Sequence, residues 1–276
     1  MLHYGHMSSL FEAIGLGAVQ GITEFLPVSS SGHLVLVHAL FEAEVGNALA
    51  FDAILHLATA CAVLIYFWSD IMRLINTALR RLGRLPVNER DMTLLTALVV
   101  GTVPAVVLGL ALESLMESAF RNPVLVAVVL IAGSLLFIYA EWVYLNRNQD
   151  NEMTVGKGLK IGLFQTLALI PGMSRSGATI AGGMFLGLSR EEAARFAFLM
   201  AVPIMFGAGS KKVLELITSD QPIAWIFVIV GAATAFFTGM VAIHFMLAFV
   251  RKHTLWPFIW YRIILACFVL FVVYFG

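Results

Sequence analysis

Charge is scarce in this sequence. Only 12 % of its 276 residues are Asp, Glu, Lys or Arg, the formal net charge is zero, and the first Lys or Arg is Arg73. A balanced, sparsely charged chain offers no basic patch, so nothing points to nucleic-acid binding. A cleaved secretory signal wants a basic leading region, and none is expected here. Cysteine is rarer still. Cys61 and Cys267 stand alone inside apolar runs, with no C-x-x-C pair and no histidine at metal spacing, so both read as packing residues and no disulfide is expected. What is abundant is apolar: 60 % of the chain. It comes in long unbroken runs rather than in alternation, which predicts a polytopic helical membrane protein and argues against a β-barrel.

Six runs are long enough to cross a bilayer: 48–68, 93–112, 123–141, 194–213, 223–249 and 255–275. Pro104 is tolerated as a kink. Two further apolar segments are broken by polar knots. Segment 9–41 is interrupted by Gln20, Glu24, Pro27, Ser29, Ser30, Ser31, Gly32 and His33; segment 161–188 is interrupted by Pro171–Thr179. Between the runs lie an arginine-rich stretch at 69–92, read as a loop, and an acidic turn at Glu113, Glu117 and Arg121. Arg262, just inside the last span, is expected to anchor near the headgroups.

Short cytoplasmic loops are enriched in Lys and Arg, so the basic residues report topology. If both broken segments re-enter, the loops 69–92, 142–160, 189–195 and 251–253 share one side and hold twelve Lys or Arg, against three opposite (Arg121, Lys211, Lys212). A crossing second segment would move Arg190, Arg195, Arg251 and Lys252 to the opposite side and bring back only Lys211 and Lys212, weakening that bias, so re-entry is predicted. The sequence also repeats. A shift of 145 residues lays Gly17 on Gly162, Gln20 on Gln165, Ser29 on Ser174, Ser31 on Ser176 and Gly32 on Gly177. Within one membrane domain, 1–276, repeat 1 covers 9–141 and repeat 2 covers 154–275, each a re-entrant segment followed by three spans. Three is odd, so the predicted fold is an all-α inverted repeat with its site where the two breaks meet near the midplane.

The polar residues of the breaks are the candidate site. Gln20 and Glu24 share a helix face at i, i+4. Ser29, Ser30, Ser31 and His33 follow, with His33 able to act as base or as nucleophile toward phosphorus, and Ser30 its closest expected partner. On the other break, Arg175 offers a planar fork for phosphate oxygens, and Ser174, Ser176, Gly177 and Thr179 offer hydroxyl and N–H donors around it. An arginine at membrane depth is costly unless it meets a wet cavity or an anion. Asp52 and His56, a second i, i+4 pair, are expected to orient the site from a neighbouring span.

Two stretches, Gln20-Gly-Ile-Thr-Glu24-Phe-Leu-Pro-Val-Ser-Ser30-Ser-Gly-His33 and Pro171-Gly-Met-Ser174-Arg175-Ser-Gly-Ala-Thr179, resemble the two motifs of bacterial undecaprenyl-diphosphate phosphatases, the bacitracin-resistance family. The resemblance runs through nearly the whole chain, in the family's order and spacing. It implies a multi-pass phosphatase of the bacterial cytoplasmic membrane, its site open to the extracytoplasmic face, that converts undecaprenyl diphosphate to the monophosphate and so recycles the carrier lipid for cell-wall synthesis. It implies a divalent cation, Mg²⁺ or Ca²⁺, at the acidic motif, for which Glu24 and Gln20 are the candidate ligands. That motif is often written with two glutamates; here Gln20 takes the first place. The expected partners are the prenyl diphosphate and membrane lipid, and a homodimer is compatible with this reading. A transporter or flippase for an anionic prenyl-phosphate lipid is the competing reading, since carriers also use inverted repeats with broken helices.

Overall fold

The computed structural model describes residues 2–41, 48–112, 122–217 and 225–275. These form eleven α-helices and one 3-10 turn, with no strand among the described residues. The first break has arms α1 (Leu2–Phe25) and α2 (Ser30–Phe41), followed by α3 (Ala48–Tyr66), α4 (Trp68–Leu82), α5 (Glu89–Ala111) and α6 (Pro123–Asn146). The second break has arms α7 (Val155–Thr166), extended by the turn Leu167–Leu169, and α8 (Arg175–Phe185); then come α9 (Arg190–Ile217), α10 (Trp225–Val250) and α11 (Trp256–Phe275). The acidic turn at 113–121 lies outside the described residues.

Local chemistry sets several of these boundaries. Asn88, Asn122 and Thr154 each accept a hydrogen bond from a backbone N–H in the first turn that follows, and Pro123 begins α6, where its missing N–H costs nothing. Five helices are long and apolar enough to span a bilayer: Glu89–Ala111, Pro123–Asn146, Arg190–Lys211, Trp225–Val250 and Trp256–Phe275. Phe51–Tyr66 and Trp68–Leu82, bent by 79° at their junction, pass the same test only when taken together. The protein is an all-α polytopic membrane protein. Large apolar side chains such as Val103, Ile229, Phe237 and Val241 are more than half exposed because lipid, not water, is their neighbour.

The expected loop at 69–92 is corrected: its first part is the helix α4. Apolar residues recur there on one face and arginines on the other, so a helix satisfies both, and the chain reaches it through a 79° bend.

The two halves interlock. Helix α1 packs along α10 and α7 packs along α5, so each broken segment lies on a span of the other half. Small residues make this possible. A Cβ on Gly17 would sit 2.4 Å from the Gly231 carbonyl oxygen, and one on Gly162 only 2.1 Å from that of Gly101. The loop after α8 also bonds back to the linker before α7. Asp150 N–H donates to the Gly187 carbonyl at 3.2 Å, Ser189 N–H to Asn151 Oδ1 at 2.6 Å, and Arg147 to the Phe185 carbonyl at 2.7 Å. The second broken segment therefore begins and ends at one place. Nearby, buried Glu141 on α6 receives Arg190 of α9 through both Nε and Nη2, and the backbone N–H of Leu255 at 2.7 Å.

Arg262 is not a headgroup anchor. It is fully buried, and its guanidinium donates to the carbonyls of Leu130 (3.1 Å), Gly172 (3.0 Å), Met173 (3.1 Å) and Pro27 (3.4 Å). Broken helices leave carbonyl oxygens without helical partners, and these must be satisfied inside the protein. Five rigid N–H donors on one side chain suit that task. Pro27 and Gly172 are 145 positions apart, so Arg262 ties together corresponding carbonyls of the two breaks.

Candidate active site

Each break turns on a serine. Ser29 and Ser174 hold φ at +74° and +75°, a left-handed conformation that costs a non-glycine residue about 1–3 kcal/mol. The same bonds then hold each turn. Ser29 Oγ accepts from Gly32 N–H at 3.3 Å, and Ser174 Oγ from Gly177 N–H at 3.2 Å. Each also lies against the hydroxyl two residues on, Ser31 at 3.3 Å and Ser176 at 3.1 Å. Two segments 145 residues apart have thus folded into the same turn.

The residue following each strained serine opens a helix, and both point to one carboxylate. Ser30 Oγ donates to Glu24 Oε2 at 2.7 Å, and Arg175 Nη2 donates to Glu24 Oε1 at 2.7 Å. Ser30 and Arg175 are counterparts under the 145-residue shift, so corresponding positions of the two repeats each take one oxygen of Glu24. Gln20 Nε2 lies 2.9 Å from Glu24 Oε2 and 2.9 Å from His56 Nδ1, and His56 Nδ1 is itself 3.3 Å from that oxygen. Glu24 is buried, with its side chain 5 % exposed, whereas Arg175 and Ser30 reach the surface of the cluster.

Two atoms of this cluster are buried and lack a hydrogen-bond partner among the described residues: Gln20 Oε1, an acceptor, and Arg175 Nη1, a donor. A buried unsatisfied polar atom costs about 1–3 kcal/mol. One that persists beside a charged cluster is a place for a ligand: an anion against Arg175 Nη1, a cation or a donor against Gln20 Oε1.

Comparison with known proteins decides the family. Residues 13–268 match the family model described as bacitracin resistance protein BacA. The chain belongs to the BacA family. Relatives named undecaprenyl-diphosphatase include one from Marinobacter nauticus, 38 % identical over 93 % of this chain and 96 % of its own length. Others come from Thermodesulfovibrio yellowstonii (40 % identical; 98 % of this chain, 99 % of that protein) and Desulforudis audaxviator (42 %; 92 % and 94 %).

In this BacA protein the remaining predicted site residues stand apart from the Glu24 cluster. Ser30 is bonded to Glu24 rather than to His33, its expected partner. His33 is held by the Ser29 carbonyl at Nδ1 (2.7 Å) and meets the Tyr261 hydroxyl at Nε2 (2.6 Å), with the two rings stacked. Nδ1 faces a carbonyl, so it carries the proton, and Nε2 presents its lone pair. The polar groups of the second break are committed internally. Ser176 Oγ donates to the Leu26 carbonyl at 3.0 Å, which bridges the two breaks, and Thr179 Oγ1 donates to the Arg175 carbonyl at 2.7 Å. Ser174 and Gly177 are spent on capping α8. Asp52 is half-buried one turn before His56 on α3. Tyr261 and Arg262 were not among the predicted site residues. Their only signal is a polar pair at the start of an otherwise apolar span, which a headgroup anchor would produce equally well.

Proposed function

We propose that this protein is a membrane phosphatase that hydrolyses undecaprenyl diphosphate to undecaprenyl phosphate and inorganic phosphate, recycling a carrier lipid for cell-wall synthesis and conferring bacitracin resistance. The observation that carries the chemistry is the convergence of Ser30 and Arg175, one from each break, on the buried Glu24 carboxylate. Family membership and the relatives' shared name supply the substrate.

Arg175 faces the diphosphate with its free Nη1 and stabilises charge developing on the phosphorus oxygens. Ser30, its hydroxyl already donating to Glu24, attacks the terminal phosphorus, and Glu24 takes the proton. The bridging P–O bond breaks, undecaprenyl phosphate leaves, and water hydrolyses the phosphoserine. His33, three residues along α2, is placed to activate that water once Nε2 exchanges the Tyr261 hydroxyl for it. A divalent cation, Mg²⁺ or Ca²⁺, fits the unsatisfied Gln20 Oε1 and the Glu24 carboxylate; bound there it would offset phosphate charge. No group of three His, Cys, Asp or Glu gathers among the described residues, so water and phosphate oxygens would complete its shell, as is ordinary for Mg²⁺. Two re-entrant breaks in an inverted repeat, six spans, and a site open to the extracytoplasmic face of the bacterial cytoplasmic membrane complete the reading. Support comes from the basic loops and from the bonds that join residues 147–151 to 185–189.

Phosphate release by the purified protein in detergent tests this. Wild type should release phosphate from farnesyl and undecaprenyl diphosphates in a metal-dependent way. Arg175→Ala and Glu24→Ala should lose at least about two to three orders of magnitude in kcat while still inserting. Near-normal release by either variant would overturn the assignment of the site. No release by wild type would favour a flippase, which needs the same anion contacts without bond breaking. Acid-stable phosphate trapped on Ser30 supports serine attack, and its absence points to direct attack by water.

A further inference from the structure

Helix α4 belongs to neither break and does not continue α3 in a straight line. The chain bends by 79° between Phe51–Tyr66 and Trp68–Leu82, so α4 runs close to the membrane plane when α3 runs across it. Its residues sort cleanly by face. Trp68, Met72, Ile75, Leu79 and Leu82 recur at helical spacing along one stripe, and four of them are strongly exposed: Trp68 53 %, Ile75 45 %, Leu79 62 %, Leu82 81 %. Leu74, beside the stripe, is buried toward the protein, and α4 packs on α5. Between α4, α5 and α9 lies an apolar groove of about 510 Å³ that continues the stripe toward the lipid-facing residues Val99, Val103 and Val106 of α5.

The polar side of α4 is basic in effect. Its acidic residue, Asp70, is consumed by Arg73 at 2.8 Å and Arg195 at 2.9 Å, and Arg73 also meets Asp91 at 3.4 Å. Arg80, Arg81 and Arg84, at and just beyond the C-terminal end, are exposed and have no carboxylate partner among the described residues; Arg80 only donates to the Pro86 carbonyl. An exposed apolar stripe of this size is unfavourable in water. Bordered by arginines on a helix that lies flat, it is the pattern of a helix seated at the boundary of headgroups and acyl chains.

We propose that α4 is an interfacial helix: its stripe sinks into the acyl chains of one leaflet, and Arg80, Arg81 and Arg84 bind the headgroups of anionic phospholipids. Charge complementarity selects anionic over zwitterionic lipid, because each arginine near a negative surface strengthens binding roughly fivefold. The inference rests on the membrane-spanning fold and is independent of the phosphatase chemistry.

Two measurements on the full chain test it. In a Cys61→Ser/Cys267→Ser background reconstituted in phosphatidylglycerol-containing vesicles, a nitroxide at Leu79→Cys should be relaxed by oxygen, and one at Asn76→Cys by a water-soluble nickel chelate. Equal nickel access at 79 and at Asn88→Cys, in the following loop, would overturn the placement. Separately, titration with phosphatidylglycerol or phosphatidylcholine in mixed micelles, read by thermal stability, should show preference for the former. Arg80→Gln/Arg81→Gln/Arg84→Gln should lower phosphatidylglycerol affinity on the order of a hundredfold, with phosphate release in detergent unchanged as the folding control. Equal affinity for both lipids in wild type, or an unchanged preference in the triple variant, would overturn the headgroup assignment.

Discussion

At the scale of single residues, two arginines in this protein do opposite things. Arg175 meets a carboxylate and keeps one nitrogen free; Arg262 meets carbonyl oxygens and a hydroxyl, deep between the breaks. The first fits the role of an anion receptor. The second holds the frame on which the receptor sits, and it does so by satisfying backbone groups that a broken helix leaves open. Gly133 lies directly beneath it, where an added Cβ would come within 2.1 Å of Arg262 Nη2. Gly133→Ala should therefore displace the guanidinium and mimic Arg262→Lys, whose single ammonium cannot span four carbonyls. Both variants are expected to lose about a hundredfold in kcat, the cost of misplacing reacting groups by about 1 Å. The change should fall on kcat more than on KM, since Arg175, the proposed anion receptor, is itself left in place. Steady-state phosphate release in detergent checks this.

At the scale of elements, the broken helix is the unit that matters. Ser174 combines a strained backbone with a helix cap: φ is +75°, and the side chain accepts from Gly177 N–H. These contributions can be separated. Ser174→Ala keeps the strain and loses the cap, which should cost about 1 kcal/mol of stability. Ser174→Gly also loses the cap but relieves the strain, so it should cost only a few tenths. Thermal unfolding in detergent should therefore rank wild type above Gly and Gly above Ala. Equal losses would mean that the left-handed turn is not under strain. The mirrored pair at Ser29 should follow the same order.

At the scale of the whole molecule, the repeat has kept its scaffold and divided its chemistry. Both halves retain the strained serine, the capping glycine and a buried glutamine, Gln20 and Gln165. Under the same shift Glu24 falls on Leu169, His33 on Ala178 and Ser30 on Arg175. Neither half holds the cluster alone. Gln165 shows the consequence: it is buried, and both its amide atoms lack a hydrogen-bond partner among the described residues. Re-entry of the second break predicts that Asn148 and Ser189 lie on one side of the membrane. In the Cys61→Ser/Cys267→Ser background, Asn148→Cys and Ser189→Cys should both resist an impermeant maleimide in intact cells and both react in inverted vesicles. Opposite labelling of the two would mean that the segment crosses.

Much of this was legible before folding. Mean apolarity determines that the chain lives in lipid, because the driving force is summed over many residues and needs no partner to be counted. Span positions, the two breaks, the 145-residue echo and the identity of Glu24, Ser30 and Arg175 follow from order along the chain. The helix α4 was missed because arginines at 73, 80 and 81 lower its average hydropathy, while its amphipathic periodicity carries the signal. Arg262 was misplaced for a different reason: an arginine near the start of a span looks the same whether it faces headgroups or backbone carbonyls. Only tertiary structure decided which oxygen meets which donor. Glu24 and Arg175 are 151 residues apart, and the 2.7 Å between them exists because each broken segment packs on a span of the other half, with Arg262 pinning both breaks from behind. Hydrogen bonds are short-ranged and directional, so their pairing is a property of the assembled breaks and cannot be summed from the residues that make them.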